Sequence, residues 1–272
     1  MVAHRKILWY NHPIFMKGLI PMKNITRLLA LVLVAVMACG FVGCGATDSN
    51  KYIIYSDNAF APFEYLDKAT NTYVGVDMDI MAAIAKDQGF EYEMKNEGFD
   101  AAMGAVQAGQ ADGMIAGMTI NDERKKNYDF SEGYFEDGSI LVTAKDNTIA
   151  AEADLAGKKI AAKKGTTSTD YAESIKDKYG FTMIYFEDSP AMYQAVLTGS
   201  ADACFEDRSV IGYAIKEQNM NLKTVGEVVK PAYYGFAVKK GQNAELIEKF
   251  NAGLKNIKAN GEYEKILAKY GY

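Results

Sequence analysis

Hydrophobic and polar positions along the first part of the chain follow an order typical of strand, helix, strand. Short apolar runs predict strands at 51–56, 91–95 and 111–118. Between them, apolar positions with helical periodicity predict helices over 76–88 and 99–108, and a glycine follows the second helix. Strands that alternate with helices are typical of a parallel sheet covered by helices on both faces.

The second part of the chain repeats this order of elements. The predicted strands are 158–165, 181–187 and 201–207, and the predicted helices are 169–179 and 190–197. Ser189 is the predicted N-cap of the second of these helices, with Pro190 in its first turn. At the first helix, Thr167 and Asp170 fit a capping box.

One short phrase occurs at the same place in both parts. AVQAGQAD at 105–112 and AVLTGSAD at 195–202 each join a predicted helix to the next predicted strand. Two similarly built α/β lobes explain this most simply, and the alternative is coincidence, because Ala, Gly and Asp are common near turns. Ligands of open α/β sheets bind beyond the carboxyl ends of the strands, so two facing lobes would form a cleft for a small molecule.

The first 44 residues differ from the rest of the chain. They contain no Asp or Glu and five Lys or Arg, and the apolar run 28–44 follows Lys23 and Arg27. A basic start, a short apolar run and small residues before a cleavage site predict an export signal. A retained membrane anchor is the alternative, although the run is short for a transmembrane helix. Met22 opens a complete signal by itself, so the natural start is Met1 or Met22.

The end of the predicted signal resembles a lipobox, the cleavage and lipidation sequence of bacterial lipoproteins. Its residues are Phe41-Val42-Gly43-Cys44, and Cys39 is a weaker candidate for the lipidated cysteine. We therefore expect residues 1–44 to form the signal with its lipobox, Cys44 to carry the lipid, and 45–50 to be a linker. Acyl chains such as palmitate on one cysteine would hold the protein at the extracytoplasmic face of the cell membrane.

Loss of the signal changes the charge and the available chemistry. It leaves 25 basic against 35 acidic residues, a net charge of −10, so no nucleic-acid partner is expected. Both histidines, His4 and His12, are lost, which excludes a His-based catalytic relay and removes the commonest zinc ligand. Cys204 has no internal partner for a disulfide and is expected to be a buried thiol. No catalytic residue, metal or cofactor is assigned.

Charged residues follow several of the predicted strands. Arg124 comes just after Asn121, a plausible N-cap, where its guanidinium could grip a carboxylate; the alternative is a solvated charge in the run DERKK. The small residues around Thr167 open a helix and could offer N–H groups to an anion, or form an ordinary turn. Glu206 and Asp207 end a strand and could hold an ammonium group, unless Asp207 only caps the next helix.

Aromatic residues accompany an acid in the first lobe. Asp57, Phe60 and Phe63 lie in the loop after the first strand, and Phe99 opens a helix. Aromatic faces favour a cationic or amide group between them. We expect Phe63 to pack in the core and Phe60 and Phe99 to face a ligand.

Four segments carry a resemblance to a known family. They are DNAFAPFEY, YVGVDMDIMAAIAK, GMTINDERKKNYDFSEGYF and GKKIAAKKGTTSTDYA, and the run TxxxERKxxxDFSxxY within the third is the most specific. Over 51–272 the chain resembles the polar amino-acid-binding proteins of bacterial ABC importers, and the glutamine-binding group in particular. The resemblance implies a two-lobed α/β fold of the periplasmic-binding-protein type (type II), in which each lobe is a mostly parallel sheet with flanking helices. The expected lobes are 51–137 with 233–272, and 138–232, joined by two hinge crossovers near 134–138 and 230–234.

The resemblance also implies roles for ten residues. The zwitterionic end of an amino acid would be held by Arg124 and the backbone around Thr167 at its carboxylate, and by Asp207, Gly117 and Thr119 at its ammonium. The side chain would lie between Phe60 and Phe99, with Asp57 and Lys163 at its far end and Glu206 nearby.

One of these positions leaves the ligand open. Glutamine binders carry His where Glu206 stands, and a pocket with Asp57 and Glu206 could favour lysine, arginine or ornithine. Lys163 argues against a cation. The predicted function is therefore delivery of a polar amino acid, glutamine first, by lobe closure on a monomer that an ABC permease with its ATPase recognises. The alternatives are a basic amino-acid binder, a dehydratase-type enzyme on the same fold with Glu206 as general acid, and a sensor or partner-binding lipoprotein.

Overall fold

Two five-stranded sheets form the cores of two lobes in the computed structural model, which describes residues 51–272. The predicted export signal, Cys44 and the linker 45–50 lie outside the described residues. Between Lys51 and Tyr272, no helix has both the length and the apolar character needed to cross a bilayer.

The sheet of the first lobe combines strands from two separate parts of the chain. Its order is β5-β1-β6-β13-β7, with β1 at Lys51–Ser56, β5 at Glu91–Asn96, β6 at Gly113–Met114, β7 at Tyr128–Phe130 and β13 at Ala237–Lys239. Strands β5, β1 and β6 are parallel, and β13 is antiparallel to β6 and β7. A small antiparallel sheet lies in the loop after β1 and consists of β2 at Ala59–Phe60, β3 at Glu64–Asp67 and β4 at Thr72–Val74.

Helices cover both faces of this sheet. They are α1 at Val76–Gln88, α2 at Phe99–Ala108, α6 at Ala244–Ala259 and α7 at Glu262–Lys269. One face packs α1, α6 and α7 around Ile84, Phe250 and Leu254, and the other packs α2 against β1 and β6 around Val106 and Met114. The predicted bounds of α1 and α2 are those observed, since each helix has its own periodicity and a glycine at its end.

The second lobe repeats this plan with its own sheet and helices. The strand order is β10-β9-β11-β8-β12, with β8 at Phe135–Ala144, β9 at Lys159–Lys163, β10 at Thr182–Phe186, β11 at Ala203–Asp207 and β12 at Leu222–Tyr234. The helices are α3 at Thr167–Tyr179, α4 at Ser189–Leu197 and α5 at Arg208–Lys216, and short 3-10 turns lie at Arg124–Lys126 and Glu152–Leu155. Cys204 is a free, buried thiol in the core that α4 and α5 cover.

Strands β8 and β12 connect the two lobes. They run antiparallel, with Phe135 opposite Tyr234 and Asp137 opposite Ala232. Phe135 packs against the core of the first lobe, whereas Val142 further along β8 belongs to the core of the second. The predicted crossovers thus coincide with the start of β8 and the end of β12, while the exact lobe boundaries stay a prediction.

The repeated phrase has the same structural role twice. Asp112 ends the first copy, and its carboxylate accepts the N–H of Ile53 at 2.8 Å while its own N–H donates to the Ile53 carbonyl at 2.8 Å. Asp202 ends the second copy and makes the same two bonds, both 2.8 Å, with Lys159. Each Asp therefore fixes the start of one parallel strand against its neighbour, which gives the phrase a reason to recur.

Two of the predicted helix caps are wrong. The N-cap of α4 is Asp188, which accepts the N–H of Ala191 at 2.7 Å, and Ser189 instead donates its hydroxyl to Glu206. Glu206 takes the hydroxyl of Ser189, which leaves the adjacent Asp188 to cap the helix.

Helix α3 begins two residues earlier than predicted. Its N-cap is Thr166, whose hydroxyl oxygen accepts the N–H of Thr169 at 3.2 Å, so the predicted capping box of Thr167 with Asp170 does not form. The earlier start frees the hydroxyl of Thr167 to face the other lobe, where Thr119 lies 3.2 Å away.

Candidate functional site

The carboxyl ends of strands from both sheets meet in one cleft between the lobes. The free space inside the cleft is only about 10 Å³, far below the roughly 300–1,000 Å³ of typical small-molecule pockets, so the lobes or the lining side chains must move before a ligand can enter. Nine of the ten predicted site residues line it, and Asp57 lies directly behind Lys163. The lining residues are Phe60, Phe99, Ala116, Gly117, Thr119 and Arg124 from the first lobe, and Lys163, Thr166, Thr167, Glu206 and Asp207 from the second.

Arg124 lies at one end of the cleft and contacts both lobes. Asn121 accepts the N–H of Arg124 at 2.8 Å, as an N-cap does, and this contact fixes where the arginine leaves the backbone. One guanidinium nitrogen donates to the carbonyl of Thr119 in its own lobe and the other to the carbonyl of Gly165 in the opposite lobe, both at 2.9 Å. Burial lowers the pKa of Arg124, and the carboxylate of Asp170 opposes that change. Its side chain is therefore a buried cation beside the start of α3, where a ligand carboxylate can bind.

Close approach of the lobes depends on a glycine at this end. Gly165 has φ +72°, a conformation that side chains rarely adopt, and it faces α2 of the first lobe. A Cβ here would lie 2.7 Å from the methyl of Met103 and 3.2 Å from a carboxylate oxygen of Asp100. The absence of a side chain therefore lets the loop before α3 meet the first lobe.

Asp207 lies at the other side of the cleft with its carboxylate held in place. Its Oδ1 accepts the hydroxyl of Ser168 at 2.9 Å, and its Oδ2 accepts the hydroxyl of Tyr234 at 2.5 Å. Asp207 makes no side-chain bond to the start of α5, although it stands at the N-cap position. The alternative that Asp207 only caps the next helix is therefore wrong, and its carboxylate lies at the cleft wall.

Lys163 and Asp57 form a buried ion pair in the interior of the cleft. Their side chains are 2% and 0% exposed, and the ammonium donates to Oδ2 of Asp57. The ammonium also lies 4.5 Å from the ring centre of Phe60 and 5.7 Å from that of Phe99. Burial lowers the pKa of Lys163, but Asp57 and then Glu206 raise it, and the pKa lies above its ordinary value. The ammonium of Lys163 therefore stays charged between the two aromatic rings.

Glu206 lines the cleft, yet its oxygens are engaged by its own lobe. It accepts hydroxyl groups from Ser189 and Tyr193, both at 2.7 Å, and the N–H of Asp207 at 2.9 Å. Burial raises the pKa of Glu206 to about 7, the neighbouring Asp207 adds to this, and Lys163 opposes it. Glu206 thus acts on the cleft through its charge rather than through a free oxygen atom.

A pair of buried acids behind Gly117 was missed in the sequence. Oδ2 of Asp77 accepts the N–H of Gly117 and the hydroxyl of Tyr134, both at 2.7 Å. Within residues 51–272, Oδ1 of Asp77 and both oxygens of Glu64 have no hydrogen-bond partner, and the two carboxyl groups are close enough for each to change the pKa of the other. Burial and then Asp77 raise the pKa of Glu64 well above its usual value. The raised pKa favours the neutral form of Glu64, which has a proton to offer to Asp77, and Asp77 in turn holds Gly117 in the cleft wall.

A sequence signal for this pair does exist. Asp77 precedes Ile80 and Ile84 at helical spacing, so it lies on the buried face of α1. Glu64 stands between Phe63 and Tyr65 in an aromatic run. An acid on an apolar face needs a partner, and two such acids near one another predict a shared proton.

Replacement of Glu64 by glutamine is expected to flatten the pH dependence of stability. Because the pKa of Glu64 is raised in the folded protein, the folded chain keeps a proton that the unfolded chain releases above the usual carboxyl range. The free energy of unfolding of the wild type should therefore fall as pH rises through that window, whereas the amide of the Glu64→Gln protein keeps a donor at every pH. Urea unfolding at several pH values between 5 and 8.5 measures this.

The matched control for this change is Glu93→Gln, which alters an exposed carboxylate on β5. It should keep the slope of the wild type. Equal slopes for Glu64→Gln and the wild type would contradict the shared proton.

No metal is implied by the acids of the cleft. Within residues 51–272, no group of three or more His, Cys, Asp or Glu side chains is arranged to hold a metal ion. What the cleft offers is a buried cation, a buried carboxylate and an internal ion pair, at three separate places along one small cavity.

Comparisons with known proteins find solute-binding proteins of bacteria. The family model described as "Bacterial extracellular solute-binding proteins, family 3" matches residues 52–272. A probable histidine-binding protein of Neisseria gonorrhoeae is 32% identical over 257 residues, which cover 91% of this chain and 95% of the relative. The ABC transporter glutamine-binding protein GlnH of Bacillus subtilis (strain 168) is 31% identical over 271 residues, which cover 92% and 97%. Among solved structures, an ancestral arginine-binding protein bound to arginine is similar with a TM-score of 0.76 and 36% identity, over 82% of this chain and 99% of that one.

Proposed function

This chain belongs to the bacterial extracellular solute-binding proteins, family 3, and we propose that it binds a polar amino acid, glutamine first, for delivery to an ABC importer. The observation that carries the choice of glutamine is the buried ion pair of Lys163 with Asp57 between the rings of Phe60 and Phe99. The relatives bind amino acids with different side chains, so the choice has to come from the cleft itself.

The two ends of the cleft suit the zwitterion that all free amino acids share. Arg124 and the N–H groups near Thr167 at the start of α3 would hold the α-carboxylate. Asp207 would accept from the α-ammonium, and Gly117 and Thr119 would complete its hydrogen bonds. Because the cleft has a buried cation on one side and a buried carboxylate on the other, it binds tightly a ligand that carries both opposite charges at this spacing.

The ion pair suits a neutral amide at the far end of the ligand. An amide needs one acceptor for its N–H and one donor for its carbonyl, and Asp57 with Lys163 supplies both. The faces of Phe60 and Phe99 would pack on either side of the amide. A cationic side chain would meet the ammonium of Lys163 at close range in a buried site, which costs binding energy. Glutamine is therefore preferred over lysine, arginine and ornithine.

A basic amino acid is the second candidate, and one observation favours it. The carboxylates of Asp57 and Glu206 both act on Lys163, so movement of that single side chain would leave two acids for a ligand cation. The solved relative bound to arginine makes this candidate worth a direct test.

Lobe closure would couple binding to transport. Arg124 and Thr119 of the first lobe contact Gly165 and Thr167 of the second, and separation of the lobes would break these contacts. A ligand that touches both lobes shifts the balance toward the closed form, because its affinity for that form is higher. The permease with its ATPase would then recognise the closed monomer, held by the lipid on Cys44 at the extracytoplasmic face of the membrane.

A thermal-shift screen of residues 45–272 with all common amino acids and ornithine tests the ligand. A ligand that binds only the folded chain raises its melting temperature, and glutamine is expected to give the largest rise. If arginine, lysine or ornithine gives the largest rise in melting temperature, the ligand is a basic amino acid and not glutamine. No rise with any amino acid would contradict the proposed function as a whole.

A further inference from the structure

A second buried carboxylate lies behind Asp207 at the hinge. Asp137 is on β8, is 3% exposed, and accepts the N–H of Gly138 at 2.8 Å and the N–H of Ser209 at 3.1 Å. The hydroxyl of Ser209 donates to the same carboxylate. Asp207 on the neighbouring strand β11 pairs in register with Ser139, two residues beyond Asp137.

One hydroxyl group lies between the two carboxylates. The hydroxyl oxygen of Tyr234 is 2.5 Å from Oδ2 of Asp207 and 3.2 Å from Oδ2 of Asp137. A tyrosine hydroxyl has a single proton, so it can donate fully to only one of them. The shorter distance assigns that proton to Asp207 in this state, so Tyr234 contributes little to Asp137, whose Oδ2 is held by Ser209.

The remaining charges around Asp137 do not neutralise it. Arg208 of α5 approaches to 3.9 Å, but its side chain is 58% exposed and its attraction is screened by water. Tyr272 from the end of the chain also faces Asp137, and it is neutral at ordinary pH. On the side of the cleft, Asp207 is the charged group that acts on Asp137. The carboxylates of Asp137 and Asp207 therefore share the hydroxyl of Tyr234 beside the candidate ammonium site.

We propose that Asp137 is a positioning residue of the ammonium subsite, which accepts the Tyr234 hydroxyl when a ligand ammonium occupies Asp207. This rests on the proposed function, which assigns the ammonium to Asp207. The ammonium then satisfies Asp207, Tyr234 turns to Asp137, and the second negative charge strengthens the hold on the cation. Asp137 lies on β8 and Tyr234 on β12, so occupancy of the site changes a bond between the two hinge strands.

The arrangement makes binding release protons. Burial, with the charge of Asp207 in addition, raises the pKa of Asp137 to about 6. A bound ammonium and a full hydrogen bond from Tyr234 favour the ionised carboxyl, so the ligand lowers that pKa. Affinity for the amino acid should therefore rise between pH 5 and 7. In a variant without the Asp137 carboxyl group this rise should be smaller.

The experiment compares Asp137→Asn with a neighbouring control. Glu136→Gln is the control, because Glu136 is the next residue on β8, is exposed, and accepts a hydrogen bond from the exposed Tyr233 at 3.1 Å. Titration calorimetry with L-glutamine and with L-arginine at pH 5.5 and 7.5, in buffers of different ionisation enthalpy, gives affinity and proton release. Both probes carry the same α-ammonium.

Asp137→Asn is expected to weaken binding by about tenfold at pH 7.5, much less at pH 5.5, and to reduce proton release, whereas Glu136→Gln keeps the wild-type values. A wild type that binds neither probe would overturn the proposed function, and this inference with it. A wild type that binds, together with an Asp137→Asn protein equal to it at both pH values, would overturn the inference alone.

Tyr234→Phe tests the route through the shared hydroxyl. Its effect on affinity should be smaller in the Asp137→Asn background than in the wild type, because the two residues act through one proton. Additive effects would overturn the role of Tyr234 as the link. If Asp137→Asn does not fold, the number of protons released on ligand binding is compared between the wild type and Tyr234→Phe. Equal proton release from both would overturn the inference.

Discussion

Replacement of Arg124 by alanine is expected to abolish amino-acid binding while thermal unfolding of the ligand-free protein stays nearly unchanged. Loss of one partner of a buried, hydrogen-bonded charge pair costs about 2–5 kcal/mol, so affinity should fall by roughly 30-fold to several thousand-fold. The guanidinium of Arg124 also lies over the ring of Phe99 and donates to two carbonyl groups, one of them in the opposite lobe, where water can replace it once the cleft opens. Titration calorimetry with the amino acid that the screen selects measures the loss.

A lysine at the same position separates charge from geometry. Arg124→Lys keeps the positive charge but cannot donate two parallel hydrogen bonds to a carboxylate, so we expect an affinity between those of the wild type and Arg124→Ala. Tight binding by Arg124→Ala would show that the α-carboxylate is held elsewhere, and the assignment of the two ends of the cleft would be wrong.

Replacement of Lys163 by methionine is expected to reverse the ligand preference. Methionine keeps the length of the chain and removes the ammonium, so Asp57 becomes a buried carboxylate without a cation, with Glu206 nearby. Glutamine should lose about tenfold or more in affinity with its carbonyl donor, and arginine, lysine and ornithine should gain by a similar factor. Affinities of both proteins for glutamine and arginine measure the reversal.

The neighbouring lysine provides the control for this change. Lys164 lies next to Lys163 in the chain but is exposed and paired with Glu187 on the surface, so Lys164→Met should leave the ranking of ligands as in the wild type. An unchanged ranking in Lys163→Met would mean that the ion pair is structural and that other residues choose the ligand.

Much of the fold could be predicted because its signals are local. Helices α1 and α2 have their predicted bounds, since periodicity and a terminal glycine lie within each segment. The third predicted strand covers only Gly113–Met114, because the chain leaves the sheet there to form the cleft wall at Ala116 and Gly117. The two-residue strand β2 was missed, since so short an element has no periodicity.

The family and its general function were also predicted correctly. Membership among the family 3 solute-binding proteins confirms the resemblance, the two-lobed α/β fold and the absence of an enzymatic role. The dehydratase-type alternative is wrong on the same ground. Amino-acid binding in an ABC import system is confirmed, while glutamine, the lipid on Cys44 and the permease contact stay predictions.

The sequence by itself determined the two repeated runs of strands and helices and the polar residues at their ends, because both follow from the order of neighbouring residues. The tertiary structure alone decided the partners of those polar residues. Lys163 meets Asp57 across 106 positions and Ser168 meets Asp207 across 39, and only the packing of two sheets brings such groups together. Because burying an unpaired charge is costly, each buried charged group pairs with a complementary group that packing brings close to it. No local sequence pattern predicts which group that is.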